Sequence, residues 1–269
     1  MNPLLDPSNW RDALREPAYP SHLLQVCDSD EMVAAGAGYF AAEGLRQGQA
    51  VILTGTQAHL EAIRDVLRVL GIDSAQAERN GQLFVGDALE AVHAVMVNDL
   101  PDRQRFEAIA SEAIIKARSD PRYRGVRWWG EMSNVFNQLG KKDAVAIDEQ
   151  IGDDVCRKHN VALLCSFQID SFSPASYEGA LQTLCRHHEH VMPAVDDARQ
   201  RSAVNQAIVD VIGDIEGRRL QSLLTWKPPA CHLPTWQALL FWVRDTMPDQ
   251  LPAVLAAARK YQQPHQAAG

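Results

Sequence analysis

The stretch Val126-Arg127-Trp128-Trp129-Gly130-Glu131-Met132 places an arginine, two indoles and a carboxylate almost side by side. Its β-forming residues predict a buried strand whose side chains alternate between two faces. Gly130 lets the backbone turn, so Glu131 is presented just past the strand's carboxyl end. In open α/β sheets that edge is where ligands bind. A carboxylate there can orient a polar ligand, act as a base or hold a magnesium-bound water, and Arg127 can meet a phosphate or carboxylate. Trp128 and Trp129 offer flat surface for a pocket wall or a core. The competing reading is an ordinary strand end with a solvated glutamate.

A second chemistry-bearing run is Cys185-Arg186-His187-His188-Glu189-His190. His187 and His190, or Cys185 and His188, share a helical face. A structural zinc site draws four ligands, usually from two separated clusters. Cys231-His232, the nearest second cluster, is not such a pair, so a solvated histidine cluster is the favoured reading. Neither a metal nor a cofactor is expected. The loop Asp28-Ser29-Asp30-Glu31 stands where a phosphate-binding loop would sit, yet it lacks the glycines and lysine of that motif. Its three carboxylates would repel a triphosphate. Thr54-Gly55-Thr56 reads as a helix cap and Asp87 as a turn residue. No GxSxG elbow supports nucleophilic catalysis.

Strands and helices must alternate to position these groups. Apolar runs at 22–27, 50–54, 83–85, 126–129 and 161–167 predict strands; amphipathic periodicity predicts helices between them, with Leu60, Ile63 and Leu67 on one face of the second. Small residues at 34–38 would let the first helix lie close to the sheet. The pattern implies a three-layer α/β fold, a mainly parallel sheet flanked by helices. After Phe172 no further strand is evident. Helices are expected at 176–190, 200–224, 235–246 and 248–261, and the face bearing Leu239, Leu240, Trp242, Val243 and Met247 is too apolar to stay exposed. The expected division is a leader (1–20), an α/β domain (21–172) and a helical C-terminal region (173–269).

The 269 residues carry a formal net charge of −8, which disfavours nucleic acid and anionic membranes as generic partners. The 5 cysteines are scattered, without a CxxC pair, as suits a reducing compartment. With no signal peptide and no long apolar run, the expected location is the cytoplasm.

His22 opening the first strand, Phe40…Gly44-Leu45…Gly48-Gln49, Arg127…Gly130-Glu131-Met132, Glu149 and Leu164-Cys165-Ser166-Phe167 occur in an order that resembles the MEDS sensory domain. That family is named for methanogens, methylotrophs and a dichloromethane-responsive repressor. The resemblance covers about residues 20–172. It implies a RecA/KaiC-like fold with a decayed phosphate-binding loop. It also implies a sensory role toward small organic molecules such as hydrocarbon derivatives, alongside histidine-kinase, anti-sigma or transcription-factor partners. Carried over by position, His22, Arg127, Glu131, Glu149 and Cys165 are the ligand-binding candidates, to which Trp129 is added as a pocket wall. The chain departs from the family at Cys27-Asp28, where an aromatic-acidic pair is common, and at Phe167, where a tyrosine is usual. No helix-turn-helix is evident, so direct DNA binding is not expected.

The resulting expectation is a non-enzymatic sensing protein, able to form a homo-oligomer, that binds a small organic ligand or a signalling partner at the strand ends. Two alternatives stand beside it: a nucleotide binder or residual NTPase-like enzyme using Glu131, and an interaction scaffold.

Overall fold

The structure is a computed structural model that describes residues 10–178, 181, 184, 187, 188, 190–192, 197–226 and 233–262. The first nine leader residues, Cys185, Arg186, Glu189 and the Cys231-His232 pair lie outside the described residues.

A short helix α1 (Trp10–Arg15) precedes β1 (Ser21–Cys27), α2 (Asp30–Arg46), β2 (Ala50–Gly55), α3 (Gln57–Val69), α4 (Ser74–Arg79) and β3 (Leu83–Asp87). Helix α5 (Ala88–Val95) leads into a small antiparallel ribbon, β4 (Met96–Val97) and β5 (Leu100–Pro101). Then follow α6 (Arg103–Ala117), β6 (Val126–Gly130), α7 (Met132–Gln138), α8 (Lys142–His159) and β7 (Ala162–Gln168). The structure adds one strand after Phe172, where the sequence shows none: β8 (His190–Met192) is only three residues long, too short to show a period. Four helices complete the described chain, α9 (Asp197–Ile212), α10 (Asp214–Trp226), α11 (Thr235–Thr246) and α12 (Leu251–Gln262).

The main sheet has the order β3-β2-β6-β7-β1-β8, and every pairing in it is parallel. Buried on both faces, β1 and β2 are enclosed along their whole length, which is why they read as unbroken apolar runs. The pleat sorts residues between two cores. Leu23, Val51, Leu53, Trp129 and Leu164 pack with α2 and α3 on one face. Leu24, Val26, Ile52, Val126, Leu163 and Phe167 pack with α5 to α8 on the other. The latter core continues into the C-terminal helices, where Leu239, Leu240 and Val243 are buried as their pattern requires. Phe172 meets Trp236 at 6.0 Å between ring centroids, and Arg244 donates to the Tyr177 carbonyl at 3.0 Å. Helix α2 does lie close to the sheet: a Cβ at Gly44 would stand 2.7 Å from Arg127 Cδ. Gly130, by contrast, has no left-handed φ, and a Cβ there would meet only Trp128 Nε1 at 3.9 Å. The turn after β6 is made at Glu131 instead (φ −133°, ψ 25°). Among the described residues no helix is long and apolar enough to cross a membrane.

Candidate functional site

Register decides which of the expected site residues meet. His22 pairs across from Leu163, and Leu24 from Cys165, so His22 and Cys165 sit diagonally on neighbouring strands and point to the α8 face. Glu149 faces them from α8, and the segment entering β8 brings His188 onto the same spot. His22 Nε2 is 3.3 Å from Cys165 Sγ and 3.5 Å from Glu149 Oε2. His188 Nε2 is 3.1 Å from the same carboxylate oxygen, and the two imidazole centroids lie 3.9 Å apart with the rings tilted by 40°. His22, Glu149 and His188 are almost fully enclosed. Desolvation holds each group in its neutral form. Burial pushes Glu149 up to about 8, and burial plus the neighbouring Glu149 pushes Asp148 up to about 8 as well. Burial likewise drives His188 down to about 4, pulls His22 well below its ordinary value and lifts the Cys165 thiol well above its own.

A cavity of about 40 Å³ borders this cluster between the sheet and α8, lined in addition by Thr54, Trp128, Gly130, Glu131 and Ser133. It is large enough for an ion or a few water-sized occupants. Thr54, Phe106, Trp128 and Met132 separate it from a far larger open groove of about 610 Å³. The groove runs along the edge strand β3 and reaches the carboxyl ends of β2 and β3 at Thr54, Gly86 and Asp87. Phe84, Ile109, Ala113 and Trp128 supply apolar wall; Asp87 and Lys116 supply charge.

Glu131 borders the cavity, but its carboxylate is already spoken for. Oε1 accepts from Thr56 N at 2.6 Å and Thr56 Oγ1 at 3.0 Å, at the start of α3. Oε2 accepts from His59 Nδ1 at 2.7 Å, while His59 Nε2 faces Asp30 Oδ1 at 3.2 Å. Gln168 donates to the same Asp30 oxygen at 2.6 Å. With an acceptor on each ring nitrogen, His59 is suited to the imidazolium form, and its pKa is raised, chiefly by the Glu131 hydrogen bond. Nothing in the sequence marks His59, which is one of several polar residues on an amphipathic helix. Because the folded value lies above the unfolded one, the stabilisation is present below the unfolded pKa and is lost as pH rises through the folded pKa. His59→Gln should therefore lower the urea midpoint more at pH ~6 than at pH ~9. Equal losses at the two pH values would show that His59 is not charged in the folded protein.

Two expected ligand contacts lie elsewhere. Arg127 points to the α2 face near the amino end of β6, four residues (roughly 13 Å of extended strand) from Glu131. Its guanidinium donates to Leu14 O, Arg15 O, Phe40 O, Gln47 Oε1 and Gln49 Oε1, which uses all of its N–H groups. Trp129 also faces α2 and α3, where its Nε1 donates to Ser166 Oγ at 2.9 Å. Its neighbour Trp128 is the indole that lines the cavity and the groove, with Nε1 donating to Thr54 Oγ1 at 3.0 Å. Of the expected set, then, His22, Glu149 and Cys165 converge, Glu131 lines the same cavity without joining them, and Arg127 and Trp129 belong to the opposite core.

The sequence model of the MEthanogen/methylotroph, DcmR Sensory (MEDS) domain matches residues 21–189. The chain belongs to the MEDS family. The MEDS match runs from the first residue of β1 to the residue after His188, so it contains every side chain of the converging cluster. A search of curated proteins found no match to this MEDS chain.

Proposed function

We propose that this chain is a non-catalytic sensor that takes up a small organic molecule in the groove beside β3 and reports it through the packing of its C-terminal helices. Membership of a sensory family supports the regulatory half of this reading. The observation that carries the ligand half is the groove itself. At about 610 Å³ it has the size of a small-molecule site, with a mainly apolar wall and a few polar groups at one end. That lining suits a weakly polar compound with a hydrogen-bonding or charged terminus near Asp87 or Lys116. Output would follow as a population shift, since the groove wall and the C-terminal helices share one continuous core. The bonding of Glu131 to Thr56 and His59 counts against its use as a catalytic base or a magnesium-water ligand.

Thermal shift with a library of small organic compounds tests the reading. A ligand at ~100 times its Kd adds about 2.7 kcal/mol to the folded state. At roughly 2–4 °C per kcal/mol this is a rise of several degrees in Tm. Ile109 is an exposed groove residue, so Ile109→Asp should leave the basal Tm nearly unchanged and abolish the shift. If no compound class stabilises the wild type, or if wild type and Ile109→Asp respond alike, the groove is not the receptor site.

A further inference from the structure

We propose that His22, Glu149, Cys165 and His188 form a metal centre that holds one zinc-like divalent ion in tetrahedral coordination. The proposal goes beyond the sensing role and does not depend on the groove.

Geometry is the first support. The four ligand atoms lie within 4.8 Å of one another. Metal bonds of about 2.0–2.3 Å at tetrahedral angles require ligand atoms roughly 3.3–3.8 Å apart. The separations of 3.3, 3.5 and 3.1 Å among His22, Cys165, Glu149 and His188 fall close to that range. They come from four different segments, β1, α8, β7 and the entry to β8, so the cluster is built by the tertiary fold and not by a local motif.

The bonding around the cluster is the second support. His188 Nδ1 donates to the Leu184 carbonyl at 2.8 Å. That bond settles the neutral tautomer, so Nε2 turns a lone pair toward Glu149. Nε2 of His188 and both oxygens of Glu149 have no hydrogen-bond partner among the described residues, although all are buried. Buried polar atoms are seldom left so, and lone pairs converging on one point suit a cation. A backbone carbonyl holding the outer nitrogen of a ligating histidine is also the usual second-sphere arrangement.

Charge is the third. A thiolate from Cys165 and a carboxylate from Glu149 bring two negative charges, which a divalent ion cancels, and the imidazoles add none. The loaded centre is therefore neutral overall, as an enclosed site requires. Two imidazoles, one thiolate and one carboxylate form a mixed nitrogen, sulfur and oxygen set, which favours zinc or a similar borderline ion over magnesium or calcium. Binding would release the protons of Cys165 and Glu149 to solvent.

Cobalt(II) titration of the full-length, chelator-treated protein tests the centre. The expected result is one equivalent bound, with the strong visible bands of tetrahedral cobalt and a near-ultraviolet thiolate-to-cobalt charge-transfer band. Cys165→Ser should remove the charge-transfer band. A variant with Cys27, Cys156, Cys185 and Cys231 all changed to serine should keep it, which assigns the thiolate even if Cys165→Ser folds poorly. His188→Gln should weaken binding by roughly tenfold or more. Weak octahedral cobalt spectra in the wild type, or a charge-transfer band that survives in Cys165→Ser, would overturn the proposal. Because the readout is spectroscopic and uses no organic ligand, its failure leaves the groove reading standing, and the converse also holds.

Discussion

Replacing Arg127 by alanine should destabilise the fold by about 3–5 kcal/mol and leave any ligand response of the surviving folded protein intact. Arg127 is fully buried, and among the described residues no acidic side chain hydrogen-bonds to it. Its charge is compensated by five acceptors and by the Phe40 ring, 5.1 Å from the guanidinium carbon. Two of those acceptors, the Leu14 and Arg15 carbonyls, lie at the C-terminal end of α1, where unpaired carbonyls and the helix dipole favour a cation. Alanine strands these acceptors in the interior and leaves a void beside Gly44. Lysine should rescue only part of the loss, since its three N–H groups cannot cover five acceptors and it lacks the planar fork. Urea denaturation gives the magnitude, and limited proteolysis should show α1 released. If Arg127 were a ligand contact, its alanine variant would stay within about 0.5 kcal/mol of wild type and lose the ligand.

Trp129→Ala should cost a similar amount, about 3–5 kcal/mol, through the cavity it opens and the hydrogen bond it removes from Ser166. The ring is completely enclosed, and it lies so close to β2 that a Cβ on Gly55 would stand 2.5 Å from its Cζ3. The adjacent Trp128→Ala should cost distinctly less, because Trp128 is only partly buried and one of its sides faces the groove. Trp128→Ala should instead blunt the thermal shift produced by a groove ligand. Denaturation of both variants, each with and without such a ligand, separates the roles. A larger stability loss at Trp128 than at Trp129 would mean that the strand faces are assigned the wrong way round.

These two variants also show where a reading of the sequence stops. Alternation says that Arg127 and Trp129 share a face and that Trp128 takes the other, but nothing local says which face carries α8 and which carries α2. That assignment follows from the handedness of the crossovers and from which strands become neighbours. The strand end at Glu131 is legible in the sequence, yet the partner that occupies it, His59, arrives on α3 from another crossover. His22, Glu149 and Cys165 were legible only as an ordered set resembling a family, whereas their convergence needs the β1–β7 pairing and the docking of α8.

The chain's apolar runs and helical periods, read locally, were enough to determine a three-layer α/β protein with a parallel sheet, since burying both faces of a strand demands continuous apolar residues. The lack of the contiguous phosphate-binding motif is equally legible in the sequence. His188 was different. Its own neighbourhood suggested a solvated cluster, and only the tertiary structure decided otherwise, by laying β8 against β1 and carrying the imidazole inside. Long-range pairing brings together residues whose separation along the chain bears no relation to their distance in space.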